Sequence, residues 1–281
     1  MKKLITLLLS AILCFGACIG LTACQKDSFT GFDIELSRKV VKYLNKEYKT
    51  DIEIEFTEID WDSKEALLEN GTIDLVWNGM TITPARSAEM TISVPYLYNK
   101  QVAVIRKADV SKYTTVASMA DANVGAEAGS AGEGVIDAQS IGKEYISSKS
   151  QLDALTALDN GSIDVAVIDS VMAGYYTSTG TYKGKLVMVE DLVLAQEEYG
   201  IAAKKGNEAL ISKINEALIA LKDSDYKAVA KDFGLTESLS ITANTTNPFA
   251  NATDASWDNV VASKKLVIGY TVFAPIAYTA E

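Results

Sequence analysis

Leu68-Glu69-Asn70-Gly71-Thr72-Ile73-Asp74-Leu75 returns ninety positions later as Leu158-Asp159-Asn160-Gly161-Ser162-Ile163-Asp164-Val165. Each copy closes a helical pattern, stops it with Asn-Gly, a pair suited to a left-handed C-cap, and enters an apolar run that reads as a buried strand. One such octet is ordinary α/β punctuation. Two copies with the same order of stop, polar residue, Ile-Asp and apolar run point to two related α/β units. The flanking patterns agree. Ile52, Ile54 and Phe56 alternate with Glu53 and Glu55 as in a half-exposed strand, and Leu36, Val40, Leu44 and Tyr48 recur at helical spacing, as do Leu152, Leu155 and Leu158. Further strands are expected at residues 102–105, 186–189 and 201–203, and an amphipathic helix at 210–221. Strands alternating with helices imply parallel α/β sheets.

In open parallel sheets ligands sit beyond the carboxyl ends of the strands. The first copy delivers Trp77-Asn78-Gly79-Met80-Thr81-Ile82-Thr83-Pro84-Ala85-Arg86 to such an end, and the second delivers Ile168-Asp169-Ser170. Of 26 Lys and Arg residues only Arg38, Arg86 and Arg106 are arginine. In so lysine-rich a chain, an arginine just past a strand suggests a need for the planar fork that grips a carboxylate with two hydrogen bonds. Arg38, by contrast, falls on the polar face of a helix. If the two units face each other, Arg86 and Asp169 meet across a cleft as a complement to a zwitterion. A third loop, Val124-Gly125-Ala126-Glu127-Ala128-Gly129-Ser130-Ala131-Gly132-Glu133, reads as strand, glycine turn and helix start. It lacks the Lys-Ser/Thr ending of a phosphate loop, but its helix-start amides suit a carboxylate.

The first residues form a targeting segment: Lys2 and Lys3, an apolar stretch from Leu4 to Leu13, then Leu21-Thr22-Ala23-Cys24. Small residues before a cysteine are expected to mark a lipoprotein signal over residues 1–23, with Cys24 carrying the palmitate-bearing lipid. Cys14 and Cys18 fall inside the leader, so the mature chain holds no disulfide. Without Lys2 and Lys3 the balance is 24 basic against 37 acidic residues, a net of −13, which argues against nucleic acid. The absence of histidine excludes Ser-His-Asp and Cys-His mechanisms and imidazole zinc sites. No cofactor or metal is expected. Residues 238–256 are polar and aperiodic and read as a linker. Beyond them Lys264-Lys265-Leu266-Val267-Ile268-Gly269-Tyr270-Thr271-Val272-Phe273-Ala274-Pro275 reads as strand and loop.

As a set, the strand-loop ending in Arg86, the Ala128-Gly129-Ser130 loop, Ile168-Asp169 and Glu198-Tyr199-Gly200-Ile201-Ala202 resemble the extracellular substrate-binding proteins of polar amino-acid ABC transporters, solute-binding family 3. The resemblance implies an α/β, two-domain periplasmic-binding-protein-like (type II) fold with two hinge crossings. Domain 1 would join residues 25–99 and 200–281, with 238–256 as linker, and domain 2 would span 100–199. In that family the strand seen here at Leu266–Tyr270 opens the mature domain, so the resemblance also implies a circularly permuted order.

Carried over by residue, the resemblance has Arg86 take a ligand α-carboxylate, helped by Thr81 and the Ser130 amide. Asp169 and the Gly79 carbonyl take the α-amino group, and Trp61 and Phe273 flank the side chain. Ala131 leaves only backbone where the family has a second hydroxyl, and Glu127 stands where it faces either the side chain or solvent. The implied function is capture of a free, polar amino acid by a monomer lipid-anchored to the outer face of the membrane. Ligand then passes to ABC-transporter permease subunits, without catalysis. Two other classes stay open on the same fold. One is a carboxylate-dependent enzyme (a peptidoglycan lyase or prephenate-type dehydratase) drawing on Glu127 or Glu133; the other is a ligand-sensing ectodomain.

Overall fold

The computed structural model describes residues 29–280. The expected leader and Cys24 lie outside the described residues. The chain begins with β1 (Phe29–Thr30), α1 (Phe32–Tyr48), β2 (Glu53–Glu58), α2 (Lys64–Glu69), β3 (Leu75–Thr81), α3 (Pro84–Glu89) and β4 (Met90–Ile92). It crosses to a second half through β5 (Leu97–Arg106), followed by β6 (Asn123–Glu127), α4 (Ala131–Gln139), β7 (Glu144–Ser148), α5 (Gln151–Asp159), β8 (Val165–Asp169) and α6 (Ser170–Ser178). The return crossing is β9 (Leu186–Lys204), and α7 (Glu208–Leu221), α8 (Asp225–Asp232), α9 (Ser256–Ser263), β10 (Lys265–Tyr270) and β11 (Tyr278–Thr279) complete the first half.

Both octets fold alike. Gly71 and Gly161 take φ of +75° and +83°, the left-handed geometry that glycine adopts without strain. The preceding Asn70 and Asn160 each accept hydrogen bonds from the backbone and hydroxyl of the residue two ahead, Thr72 and Ser162. The two Ile-Asp aspartates then repeat one contact. Asp74 accepts from the Val267 amide of β10 at 2.8 Å, and Asp164 accepts from the Asn123 amide of β6 at 3.1 Å. Gly269 and Gly125, two residues further along those strands, lie against Ile73 and Ile163, where a Cβ would meet each Ile Cδ1 at 2.7 Å. β10 therefore stands to β3 as β6 stands to β8.

The main sheet runs β2-β10-β3-β9-β5-β8-β6-β7, with β4 on β9, and β1 pairs with β11 in a separate small ribbon. Its wings are parallel, as the helix-strand alternation implies: β10 with β2 and β3, and β6 with β7 and β8. The centre corrects the expectation of purely parallel sheets, because β9 runs antiparallel to β3 and β5, and β5 antiparallel to β8. Separate strands at 186–189 and 201–203 are likewise replaced by one 19-residue strand, β9. Glu190, Asp191, Gln196, Glu197 and Glu198 interrupt its hydropathy and imitate a loop. The ladder to β5 nevertheless satisfies the backbone there, with bulges near Val102 and Asp191 in a left-handed turn at φ +57°.

Leu36, Val40 and Leu44 are buried on α1, which packs against α7 and α8. Residues 238–256, expected as a linker, form a strap fastened along α7. Asn247 donates to the Ser212 carbonyl and hydroxyl, while Asp254 and Ser256 accept from the Ala209 and Leu210 amides. Those first-turn amides have no partner within their own helix, so the strap serves as its cap. Arg38, on the polar face of α1, donates to the Phe29 carbonyl and lies 5.6 Å over the Phe56 ring, holding β1 down.

Candidate functional site

The carboxyl ends of the strands in both halves converge on a narrow cleft. From the first half it receives Trp61, Gly79, Thr81, Arg86 and Phe273; from the second it receives Ser130 and Asp169, so all seven residues singled out in the sequence line one space. Asn78, Glu127, Ala131, Gln151 and Thr271 complete its walls.

Arg86 is set by its helix start. Thr83 caps α3 by accepting from the Arg86 amide at 3.1 Å, and Pro84 follows at the position where no amide partner is needed. The guanidinium then donates to the Thr81 carbonyl beside it and, across the cleft, to the Gly129 carbonyl, both at 2.9 Å. Lys64, buried on α2, reaches the same Gly129 carbonyl at 3.3 Å and the Trp61 carbonyl at 3.0 Å. Two cations of one half thus grip one loop of the other. Desolvation pulls both below their ordinary values, and neighbouring carboxylates, Glu65 foremost, oppose it.

Asp169 ends β8 with its carboxylate buried (5 % exposed) and held by three amides. Asn99 and Gln101 of β5 donate to it at 2.6 Å, and Gln151 at the head of α5 donates to its other oxygen. Asn99 and Gln101 also donate to Glu197 of β9, whose second oxygen accepts from the Thr81 hydroxyl at 3.0 Å. Burial, followed by the nearby Glu197 charge, raises the Asp169 carboxyl well above the usual range. A cation entering the cleft would return it to the ionised form.

Two expected contacts are engaged otherwise. The Ser130 amide, assigned to a ligand carboxylate, donates instead to the Glu127 carbonyl at 3.2 Å within a turn, and its hydroxyl caps α4 on the Glu133 amide. The Thr81 hydroxyl is bonded to Glu197. Glu133 accepts from the Gly129 amide at 2.6 Å and so shapes the loop from behind. Gly79 takes φ +63°, and its amide donates to the buried Asp33 at 2.9 Å. A Cβ at Gly79 would meet Phe273 at 2.8 Å.

The two glutamines, the asparagine and the glutamate that bind and flank Asp169 are not among the residues singled out in the sequence. Asn99 and Gln101 stand with Lys100 in a continuous polar run at the head of β5, so no alternation marked them in the sequence. Glu197 sat in the stretch that imitates a loop, and nothing distinguishes Lys64 from the other lysines.

Residues 21–236 match the family model described as bacterial extracellular solute-binding proteins, family 3. The chain belongs to this family. It is 29% identical over 250 residues to ABC transporter arginine-binding protein 1 of Escherichia coli, covering 82% of this chain and 98% of that one. It is 35% identical over 213 residues to an amino-acid-binding protein of Dichelobacter nodosus, covering 74% and 80%. Among solved structures, an ABC uptake transporter substrate-binding protein from Streptococcus pneumoniae with bound histidine is similar. It is 33% identical, covers 73% of this chain and 83% of that one, and has a TM-score of 0.65.

Three buried carboxyls govern how stability follows pH. Asp33 is raised to about 7 and Glu127 to about 8, chiefly by burial, and Asp169 is also raised. Such groups keep a proton in the folded chain that the unfolded chain has lost, so stability falls as pH rises between the two values, by about 1.4 kcal/mol per pH unit per group. Carboxyls held low, such as Asp164 and Asp254, act only in more acidic solution. The ligand-free protein should therefore melt at a lower temperature at about pH 8 than at about pH 5. Asp33→Asn, which retains an oxygen acceptor for Gly79, should shrink that difference. Calorimetric melting across the window checks both, and an equal drop in wild type and variant would refute the role given to Asp33.

Proposed function

We propose that this chain binds a free, polar amino acid in the cleft between its two halves and hands it to the permease subunits of an ABC transporter. The observation that carries the reading is the convergence of Arg86 from one half and Asp169 from the other, in a member of a family whose relatives are named for amino acids. Arg86 takes the α-carboxylate, Asp169 and the Gly79 carbonyl take the α-amino group, and Trp61 and Phe273 flank the side chain. Domain 1 comprises residues 25–99 and 200–281, and domain 2 residues 100–199. The crossings in β5 and β9 are the hinges about which ligand closes them.

Screening the twenty amino acids by thermal shift tests this. A ligand at a hundred times its Kd stabilises by about 2.7 kcal/mol, which in a protein this size raises the melting temperature by roughly 5–10 °C. If no amino acid moves it, the reading fails. The protein catalyses no change in the amino acid, which is recovered intact after incubation. Conversion to another product would favour the enzymatic alternative.

No helix among the described residues is long and apolar enough to cross a membrane, and the family is extracellular. Lipid on Cys24 is the tether we propose, holding an acidic body beside the membrane. Cys24→Ala should move the protein out of the membrane fraction with ligand affinity unchanged; full retention would count against the tether. We also propose that the chain order is circularly permuted. In favour are the matching contacts of β10 and β6, and a family match that ends before β10 begins.

A further inference from the structure

We propose that Glu127 reads the ligand's side chain and selects a cationic one: a guanidinium, ammonium or imidazolium. This rests on the amino-acid reading above and deepens it. Glu127 is the last residue of β6, lines the cleft, is 3 % exposed, and has one carboxyl oxygen, Oε1, buried without a hydrogen-bond partner. A buried polar atom left unpaired costs about 1–3 kcal/mol. The other cleft carboxylate differs, since both oxygens of Asp169 already accept from side-chain amides, those of Asn99, Gln101 and Gln151.

The cations nearby are committed elsewhere. Arg86 holds the Thr81 and Gly129 carbonyls, and Lys64 holds the Trp61 and Gly129 carbonyls and pairs with Glu65 at 3.3 Å. The zwitterion common to all amino acids answers Arg86 with its carboxylate and Asp169 with its ammonium. The cleft group it leaves unanswered is Glu127, which a cationic side chain would pair. Trp61 and Phe273, rings whose faces attract cations, line the same space.

The pairing carries a proton signature. Burial holds the Glu127 carboxyl at about 8. Lys64 on α2, Arg86 on α3 and the Gln151 side chain on α5 favour its ionised form, and Asp153 on α5 opposes it. Asp169 faces the same cleft. A cationic side chain binds the ionised carboxyl, so its capture expels a proton, and affinity rises with pH up to that value by as much as about tenfold per unit. A neutral acceptor side chain would use the protonated carboxyl as donor, and its affinity would not rise. Protons exchanged at Asp169 follow the α-amino group and are common to both.

Calorimetric titration with L-arginine and its neutral isostere L-citrulline, from about pH 6 to about pH 8, separates these terms through the ratio of the two affinities. The expected result is arginine preferred by about tenfold or more, with the preference growing as pH rises. Glu127→Gln should abolish the growth and most of the preference, while citrulline stays within about threefold of its wild-type affinity; citrulline binding also reports that the variant is folded. Citrulline bound as tightly as arginine, a ratio flat with pH, or an undiminished preference in Glu127→Gln would overturn the inference while leaving the amino-acid reading intact. Binding of no amino acid to wild type would overturn both.

Discussion

Arg86→Lys is expected to weaken amino-acid binding by about a hundredfold or more, the equivalent of about 3 kcal/mol. The guanidinium already donates to Thr81 and Gly129, at 2.9 Å each, from a single rigid plane. It can tie the two halves together and still present donors to a carboxylate, because five N–H groups radiate from it. A lysine ammonium has three donors on a flexible stem and cannot meet two carbonyls and both oxygens of a carboxylate together. Each charge-assisted hydrogen bond lost costs about 1.5–3 kcal/mol. The loss should be near uniform across amino acids, since it removes recognition of a group they share. That separates it from Glu127→Gln, which acts on the side chain alone.

Asp169→Asn should weaken binding too, because an amide in that place keeps the shape but not the charge facing the α-amino group. Arg38→Lys is the control. It removes the contacts with Phe29 and Phe56 and should lower the melting temperature slightly, with ligand affinity unchanged. Titration with the best amino acid of the screen, and with its decarboxylated amine, measures the outcome. If Arg86→Lys binds as wild type does, or the amine binds as well as the amino acid, the zwitterion clamp is wrong.

What the sequence disclosed and what it withheld follow a physical divide. The octets at 68–75 and 158–165 were legible because helix stops and buried strands are local: Asn, Gly and the apolar run act on their own few residues. Arg86 and Asp169 were legible because loops at strand ends are short and carry their chemistry with them, whereas Trp61 entered through the family resemblance. The antiparallel centre was not, because strand direction is set by partners far away in the chain. β9 illustrates this, its charged middle being held in a ladder only by β5. The partners of Asp169 were hidden for a related reason. Asn99, Gln101, Gln151 and Glu197 come from three separate elements and become one network only when β5, β9 and α5 pack around the end of β8. Lys64 carried no mark at all; burial alone distinguishes it, and burial is a property of the fold.

Ending the chain after residue 256 should abolish folding. β10 lies between β2 and β3, in register with β2 from Lys265 opposite Glu53 to Tyr270 opposite Glu58. Its removal strips the ladder from both neighbours and leaves a gap in the middle of the wing. Leu266, Ile268, Phe273 and Ile276 are buried, and at about 1.5–3 kcal/mol for each large apolar side chain their loss costs roughly 6–12 kcal/mol. That matches the whole stability of an ordinary domain, about 5–15 kcal/mol. The first helix would suffer as well, since the Phe32 and Asp33 amides at the head of α1 donate to the Pro275 and Ile276 carbonyls. Circular dichroism and calorimetry should find no cooperative melting in the truncated chain, and a native-like transition would refute the central position of β10. A reordered chain, residues 257–280 joined by a short turn to 29–256, tests the permutation itself. β11 and β1 already lie side by side, Tyr278 opposite Thr30, so the join spans a hairpin end. This chain should fold and bind the same amino acid with the same affinity, because the strand returns to the same slot from the other side of a loop.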